Sequence, residues 1–134
     1  MDGDVLRGVF PGTGFSKESR DEHIKRVGFM ASRLEHHGVV VIASFISPYR
    51  EARRFVRGLC NNFIEVNVKA SVDECKSRDV KGLYKKALAG EIKEFTGIDH
   101  PYEEPEHAEI VVDTANQTVD ESVAQIMDTI KQYL

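Results

Sequence analysis

Val39-Val-Val-Ile-Ala-Ser-Phe45 is the stretch of sequence that decides the fold. It is a run of mostly β-branched and apolar residues without the apolar–polar alternation of a half-exposed strand. Such a run predicts a strand that is buried on both faces, as strands are in a parallel sheet. Before it, apolar residues recur every three or four positions between Ser16 and Gly38, which predicts a helix with these two residues at its ends. A second helix is predicted to begin at Pro48.

The rest of the chain repeats this alternation of strands and helices. Further strands are predicted at Phe63–Val68 and Glu109–Asp113, and two capping boxes, Ser71–Glu74 and Thr118–Glu121, each predict the start of a helix. Residues 78–107 combine glycines and prolines with no long apolar stripe, so a mobile, helix-containing excursion is predicted there. The pattern predicts one α/β domain built on a parallel sheet.

Composition and charge narrow the classes of protein to which the chain can belong. Its 134 residues are 41% hydrophobic and 30% charged, as expected of one globular domain. The 18 basic side chains against 22 acidic ones give a formal net charge of −4, which argues against a nucleic-acid or membrane-surface binder. Two cysteines without a CxxC spacing, no apolar N-terminal region and no apolar run of roughly 20 residues predict a cytoplasmic protein.

Four arginines are predicted to share one face of the helix that begins at Pro48. They are Arg50, Arg53, Arg54 and Arg57, at positions i, i+3, i+4 and i+7. A solvated helix face is the simplest interpretation for the last three. Arg50 follows the predicted strand end closely, so we expect it to be the one that approaches a site.

A second basic group lies among the glycines of residues 78–107. A cationic, hinged segment suits closure over a polyphosphate, because it neutralises charge and then lets the product leave. An ordinary surface helix would give the same pattern. The members are Arg78, Lys81, Lys85, Lys86 and Lys93.

The N-terminal Asp2-Gly3-Asp4 segment is a polar turn of the kind that follows a strand. Its carboxylates could hold Mg²⁺ or accept a proton from a hydroxyl group. A turn of this composition without any function is equally consistent with the spacing.

Five segments, in their order along the chain, closely resemble the adenylyl-sulfate (APS) kinase family. They are Asp2-Gly-Asp4, Gly14-Phe-Ser16, Phe45-Ile-Ser-Pro-Tyr-Arg50, Lys81-Gly-Leu-Tyr-Lys-Lys86 and Phe95-Thr-Gly-Ile-Asp-His-Pro-Tyr102. The resemblance runs from residue 2 to about residue 114. It implies a P-loop kinase fold with a parallel sheet flanked by helices. It also implies transfer of the ATP γ-phosphoryl group to the 3′-hydroxyl of APS, which gives PAPS in sulfate assimilation, with Mg²⁺ as cofactor.

The resemblance further implies which residues carry this reaction. Asp2, Ser47 and Lys81 are implied as catalytic, with Asp2 near Mg²⁺ and the attacking hydroxyl. Direct transfer needs only positioning and charge stabilisation, so no covalent role is expected of Ser47. Phe15 and Phe95 are implied to sandwich the APS adenine, a stacking role that suits aromatic faces.

The other implied contacts surround these residues. Arg20 matches an arginine on the phosphosulfate, and Val5 and His23 stand where the family usually has Asn. The complete set of implied APS contacts is Asp4, Val5, Leu6, Arg7, Phe15, Arg20, His23, Ile46, Ser47, Lys81, Glu94 and Phe95. The implied lid over ATP contains Arg78, Lys85 and Lys86.

No GxxxxGK[ST] motif occurs in the 134 residues. The family's first strand, P-loop and first helix precede the Asp2-Gly3-Asp4 segment, so residues 1–134 are expected to form an APS kinase-like domain that is incomplete at its N-terminus. One alternative is a catalytically inactive nucleotide-binding fragment. Another, which Val5 and His23 leave open, is a kinase of a different nucleotidyl acceptor. The expected small-molecule partners are ATP and APS. The expected protein partners are a second copy of the chain, in a homodimer, or other sulfate-activation enzymes.

We predict that the 134 residues by themselves form no PAPS above background. Lid lysines attract ATP, but they do not replace a preorganised loop of converging backbone N–H groups. We also expect association through apolar surface beside the Val39–Phe45 strand. Conversion of labelled APS in the presence of ATP and Mg²⁺ measures PAPS formation, and a sizing column measures association. Robust PAPS formation by a monomer would contradict the prediction.

Overall fold

The computed structural model describes residues 1–10, 12 and 14–133. Within them the chain divides into two compact units, which are described separately below. The first comprises Met1–Phe63 and Pro101–Glu104, and the second comprises Ile64–His100 and the chain from Pro105 onward. The elements in chain order are α1 (Gly3–Val9), α2 (Lys17–His36), α3 (Arg50–Leu59), β1 (Val66–Lys69), α4 (Val72–Arg78), α5 (Leu83–Leu88), β2 (Ile110–Asp113) and α6 (Val119–Ile130).

Helix α2 is the longest element of the first unit, and both of its predicted ends are confirmed. The Ser16 hydroxyl accepts a hydrogen bond from the Ser19 amide, which caps the first turn. At the other end Gly38 adopts φ +75°, and its amide donates to the Glu35 carbonyl. A left-handed residue at this point ends a helix without the steric penalty that a Cβ would bring.

The prediction for residues 39–45 is wrong in its detail. The described chain has no extended strand there. Only Ser44 pairs, in a single parallel bridge with Asp2. Val40 is 68% exposed and Ile42 is 80% exposed, instead of buried on both faces. The hydrogen bonds of this stretch to the N-terminus involve only Met1 to Gly3, so no neighbouring strand in the described chain lies along Val40 and Ile42.

The second unit contains the parallel pairing that the sequence predicts. Strand β1 pairs with β2 in parallel register, from Val66 opposite Ile110 to Lys69 opposite Asp113. Val112 and Ile110 are buried, and α6 packs against β2. Both predicted capping boxes are present, at the starts of α4 and α6. The excursion over residues 78–107 contains a helix, α5, as predicted.

No helix in the described ranges combines the length and the apolar character that crossing a bilayer requires.

Helices α2 and α3 pack closely because a glycine lies at their contact. A Cβ built on Gly28 of α2 would lie 2.4 Å from Cγ2 of Val56 on α3, closer than real Cβ atoms come. Glycine is a poor helix former, and its use here is explained by this close approach.

We predict that Gly28→Ala lowers the free energy of unfolding by about 1–3 kcal/mol, because overpacking at a close helix contact forces backbone shifts. The matched control is Gly58→Ala on α3, where an added Cβ meets no atom within 4 Å. That variant should be neutral or more stable by about 0.5–1 kcal/mol, as alanine favours helix. Urea unfolding of both variants measures the difference, and equal stabilities would contradict the prediction.

Candidate functional site

The Asp2-Gly3-Asp4 segment begins a helix, whereas the sequence predicted only a polar turn. Asp2 is the N-cap of α1, and its Oδ1 atom accepts hydrogen bonds from the amides of Asp4, at 3.0 Å, and Val5, at 3.1 Å. Its backbone pairs with Ser44, so the carboxylate lies where the Val39–Phe45 stretch leads into the Ile46–Ser47 loop. The four predicted APS contacts Asp4, Val5, Leu6 and Arg7 all lie on this short helix.

Arg7 and Arg20 converge on the ring of Phe15. Their Cζ atoms lie 4.9 Å and 5.4 Å from the ring centroid. Each guanidinium is also fixed by a main-chain carbonyl, since Arg7 Nη1 donates to Gly14 at 2.9 Å and Arg20 Nε donates to Phe15 at 2.8 Å. The structure therefore brings together three of the residues that the resemblance implied for APS.

The electrostatics of this cluster favour an anion. Burial lowers the pKa of Arg7, and the like charge of Arg20 lowers it further, while Asp4 opposes the shift. Arg20 is buried and Phe15 is 52% exposed. Two cations against one half-exposed aromatic ring offer both charge neutralisation and a stacking face, which are the needs of an adenine nucleotide.

His23 lies beneath the cluster and is 1% exposed. Its ring centroid is 6.2 Å from that of Phe10 and 5.8 Å from that of Phe45, and neither ring nitrogen has a hydrogen-bond partner. Burial lowers the pKa of His23, and the charges of Arg7 and Arg26 add to this shift. The imidazole is thus kept neutral. Both nitrogens are inaccessible to solvent in this structure. The direct contact between His23 and APS stays a prediction.

The Ile46–Ser47 loop follows Phe45. Ser47 adopts φ +42°, in the left-handed region that residues other than glycine seldom occupy. The Ile46 side chain is 61% exposed, whereas Tyr49 after it is buried. This loop presents an apolar side chain and a hydroxyl at the end of the Val39–Phe45 stretch.

The interpretation of the α3 arginines as a solvated face is wrong for Arg53 and Arg57. The Arg53 guanidinium donates to the carbonyls of Ser47 and Glu103, and the Cζ atom of Arg57 lies 4.7 Å from the centroid of the Phe63 ring. Only Arg54 is simply exposed. Arg50, which we expected nearest a site, is exposed and donates from Nε to the Glu104 carbonyl.

The predicted lid residues lie in the second unit. Lys81, Lys85 and Lys86 are exposed, and Arg78 donates to the hydroxyl and the carbonyl of Thr114. Helix α5 has its own cap, since the Asp79 carboxylate accepts from the amides of Tyr84 and Lys85. The Tyr84 bond is the main cause of the lowered pKa of Asp79. Gly82, at φ +66°, separates Lys81 from α5.

Phe95 is held by two residues to which the sequence analysis assigned no role. Tyr84 meets its ring edge-on, with centroids 4.9 Å apart and an interplanar angle of 73°. The Asp99 carboxylate accepts from the amides of Glu94 and Phe95. Glu94 itself adopts φ +58°. An Asp four residues after an aromatic residue, in a turn with glycine, is the signal that could have identified this local bond.

Among the described residues, no three His, Cys, Asp or Glu side chains come together in a way that could hold a metal ion. Asp2 is the acidic residue for which the sequence implied such a role. Its Oδ1 atom caps α1 by accepting from the amides of Asp4 and Val5.

Comparison with known proteins matches the chain to a family. The family model described as Adenylylsulphate kinase matches residues 1–113. The adenylyl-sulfate kinase of Microcystis aeruginosa (strain NIES-843 / IAM M-2473) is 53% identical over 133 residues, which cover 98% of this chain and 74% of that protein.

Two solved structures are similar as well. The Mycobacterium tuberculosis APS kinase CysC, solved in complex with AMPPNP and APS, superimposes with a TM-score of 0.89 at 35% identity, covering 98% of this chain and 78% of that one. A hexameric APS kinase from Thiobacillus denitrificans gives a TM-score of 0.69 at 28% identity, covering 99% of this chain and 22% of that one.

We predict that His23 makes the folded chain less stable as the pH falls. Its pKa is lowered by folding, so the unfolded state binds the proton more readily. Stability should therefore be complete above the unfolded pKa of about 6.5 and decrease as the pH drops below it. His23→Asn should remove this decrease, whereas exposed His36→Asn should keep it. Unfolding free energies from pH 5 to pH 8 test this, and parallel profiles for the wild type and His23→Asn would contradict it.

Proposed function

We infer the chemistry of the site from one premise, that the chain belongs to the adenylyl-sulfate kinase family. It is an α/β protein of the P-loop kinase fold, and its function is the ATP-dependent phosphorylation of the APS 3′-hydroxyl to give PAPS. We propose how individual residues of this chain serve that reaction. The observation that supports them most directly is the convergence of Arg7 and Arg20 on the Phe15 ring.

We propose that this cluster binds the APS molecule. The two guanidinium groups neutralise the phosphosulfate, and their planar forks suit its oxygens. The half-exposed Phe15 ring stacks on the adenine. We propose stacking on adenine for Phe95 as well, which Tyr84 and Asp99 hold in place within the second unit. The remaining contacts come from α1 and the Ile46–Ser47 loop.

Asp2 is the proposed proton acceptor for the 3′-hydroxyl. Phosphoryl transfer asks little covalent chemistry of the protein, so orienting the hydroxyl and accepting its proton is a sufficient role. The cap of α1 fixes the carboxylate through Oδ1 and supports this assignment. Ser47 acts by position, without a covalent intermediate.

ATP is used by this family together with a divalent metal ion, and we propose Mg²⁺. Asp2 fits such an ion, because Mg²⁺ is usually held by one or two carboxylates together with substrate phosphates and water. When bound, Mg²⁺ neutralises charge on the β- and γ-phosphates.

The exposed cations of the second unit are the proposed lid. Lys81 offsets the charge that develops on the transferred group, and Lys85, Lys86 and Arg78 line the ATP side. The glycine after Lys81 has a positive φ, which is compatible with a segment that opens and closes. Such a lid excludes water while it neutralises phosphate charge.

A second candidate function is APS binding without transfer. The 134 residues contain no Walker A motif, and they span 74% of the length of the Microcystis relative. The APS residues are present in the chain, whereas a cradle for the ATP phosphates is not among its motifs. We also propose a cytoplasmic location and assembly with further copies of the chain, as the hexameric relative does.

We predict that Arg7→Met weakens APS binding about 10- to 100-fold, the worth of one hydrogen bond to a charged group. Adenosine, which lacks the phosphosulfate, should bind the variant and the wild type alike. The matched control is Arg33→Met, an exposed arginine near the end of α2. Calorimetric titration measures the affinity of each protein for APS and the affinities of the wild type and Arg7→Met for adenosine. An APS affinity unchanged in Arg7→Met would refute the proposed phosphosulfate contact.

A further inference from the structure

The conformation of Ser47 needs an explanation. Its φ of +42° places a residue with a Cβ in the left-handed region, which is sterically unfavourable, so other contacts must offset this cost. Nothing in the sequence around it, Ile46-Ser47-Pro48, favours this conformation as glycine or asparagine would. The contacts that hold it must come from elsewhere in the unit.

Arg53 provides the most direct of these contacts. From one turn into α3, its Nη1 atom donates to the Ser47 carbonyl at 2.5 Å and its Nη2 atom to the Glu103 carbonyl at 2.6 Å. The guanidinium also lies over the Tyr102 ring, with Cζ 5.9 Å from the centroid. One planar group thus joins two backbone segments that are more than fifty residues apart along the chain.

Glu103 completes the connection. Its amide donates to the Pro48 carbonyl at 2.8 Å, and its carboxylate accepts from the Arg50 amide at 2.7 Å, where α3 begins without a side-chain cap of its own. The Arg50 side chain donates in turn to the Glu104 carbonyl. We call these contacts among Arg53, Glu103 and residues 47–50 the Arg53 clasp.

We propose that Arg53 is a positioning residue for the APS site, which it serves by holding Ser47 in its left-handed conformation. The inference rests on the proposed role of Ile46 and Ser47 in substrate contact. Arg53 binds Ser47 through the main-chain carbonyl and leaves the hydroxyl unused, so it fixes the direction of the side chain without occupying it. The exposed Ile46 side chain is aimed by the same turn.

The chemistry of the clasp requires arginine. A guanidinium has several donors in one plane, so it reaches two carbonyls at once and still stacks on an aromatic ring. A lysine at this position would carry the same charge on a single nitrogen and would bind one carbonyl well. Arg53→Lys therefore conserves the charge but not the geometry. We expect it to weaken APS binding less than Arg53→Met does.

The test compares Arg53→Met with Arg54→Met in the 134-residue chain. Arg54 is the next residue on α3, is exposed, and makes none of these contacts. Arg53→Met should speed amide hydrogen exchange at Arg50, whose bond to Glu103 depends on the clasp, and should weaken APS binding at least tenfold. Arg54→Met should match the wild type in both measurements. Arg53→Lys serves in place of Arg53→Met if the latter does not fold.

A glycine at position 47 separates positioning from general stabilisation. Ser47→Gly removes the steric cost of φ +42°. The loss of APS affinity caused by Arg53→Met should therefore be several-fold smaller in the Ser47→Gly background. Equal losses in both backgrounds would overturn the proposal, as would faster exchange with unchanged APS affinity. Ile46→Ala identifies a failure of the proposed function itself: if that variant binds APS like the wild type, the loop makes no substrate contact.

Discussion

Two guanidinium groups of like charge are held against the ring of Phe15, and much of the first unit serves to keep them there. Arg7 reaches the ring from α1 and Arg20 from α2, each fixed by a main-chain carbonyl. Free in water, such charges would move apart; here burial lowers the pKa of Arg7, and the repulsion from Arg20 lowers it further. An anion that binds both relieves this repulsion and gains charge-assisted hydrogen bonds. The proposed affinity for a phosphosulfate rests on where the two side chains are held.

Helix α2 connects this cluster to the rest of the unit. Ser16 begins it directly after Phe15, so Arg20 can reach back over the first turn to the ring. One turn later His23 packs against Phe45, which leads into the Ile46–Ser47 loop. Further along, Gly28 lets α3 approach closely enough for Arg53 to reach that loop from the other side. The cluster of Arg7, Arg20 and Phe15 and the Ile46–Ser47 loop are thus positioned by consecutive turns of one helix.

Most of the fold could be predicted from local sequence, and most of the contacts in the site could not. Helix caps and strand runs act between neighbouring residues, so Ser16, Gly38 and both capping boxes identified helix ends correctly. The site residues came from the resemblance of motifs, not from spacing. The clasp was missed because Arg53 binds main-chain carbonyls, and every residue carries one. When a side chain binds a main-chain group, no particular residue type marks its partner in the sequence. Such a pair can be identified only in the folded structure.

The Val39–Phe45 stretch shows the other limit of sequence patterns. The residue types of an apolar, β-branched run determine how much free energy its burial would release, about 25 cal/mol per Å² of apolar surface. They do not determine which other part of the protein covers it. In the described chain its pairing partners are Met1 to Gly3 at one end, which leaves Val40 and Ile42 exposed. Unpaired backbone beside exposed β-branched side chains is a template for pairing with another strand. The apolar, β-branched composition predicted a buried strand here. The same composition makes this stretch, when it is uncovered, a surface for association.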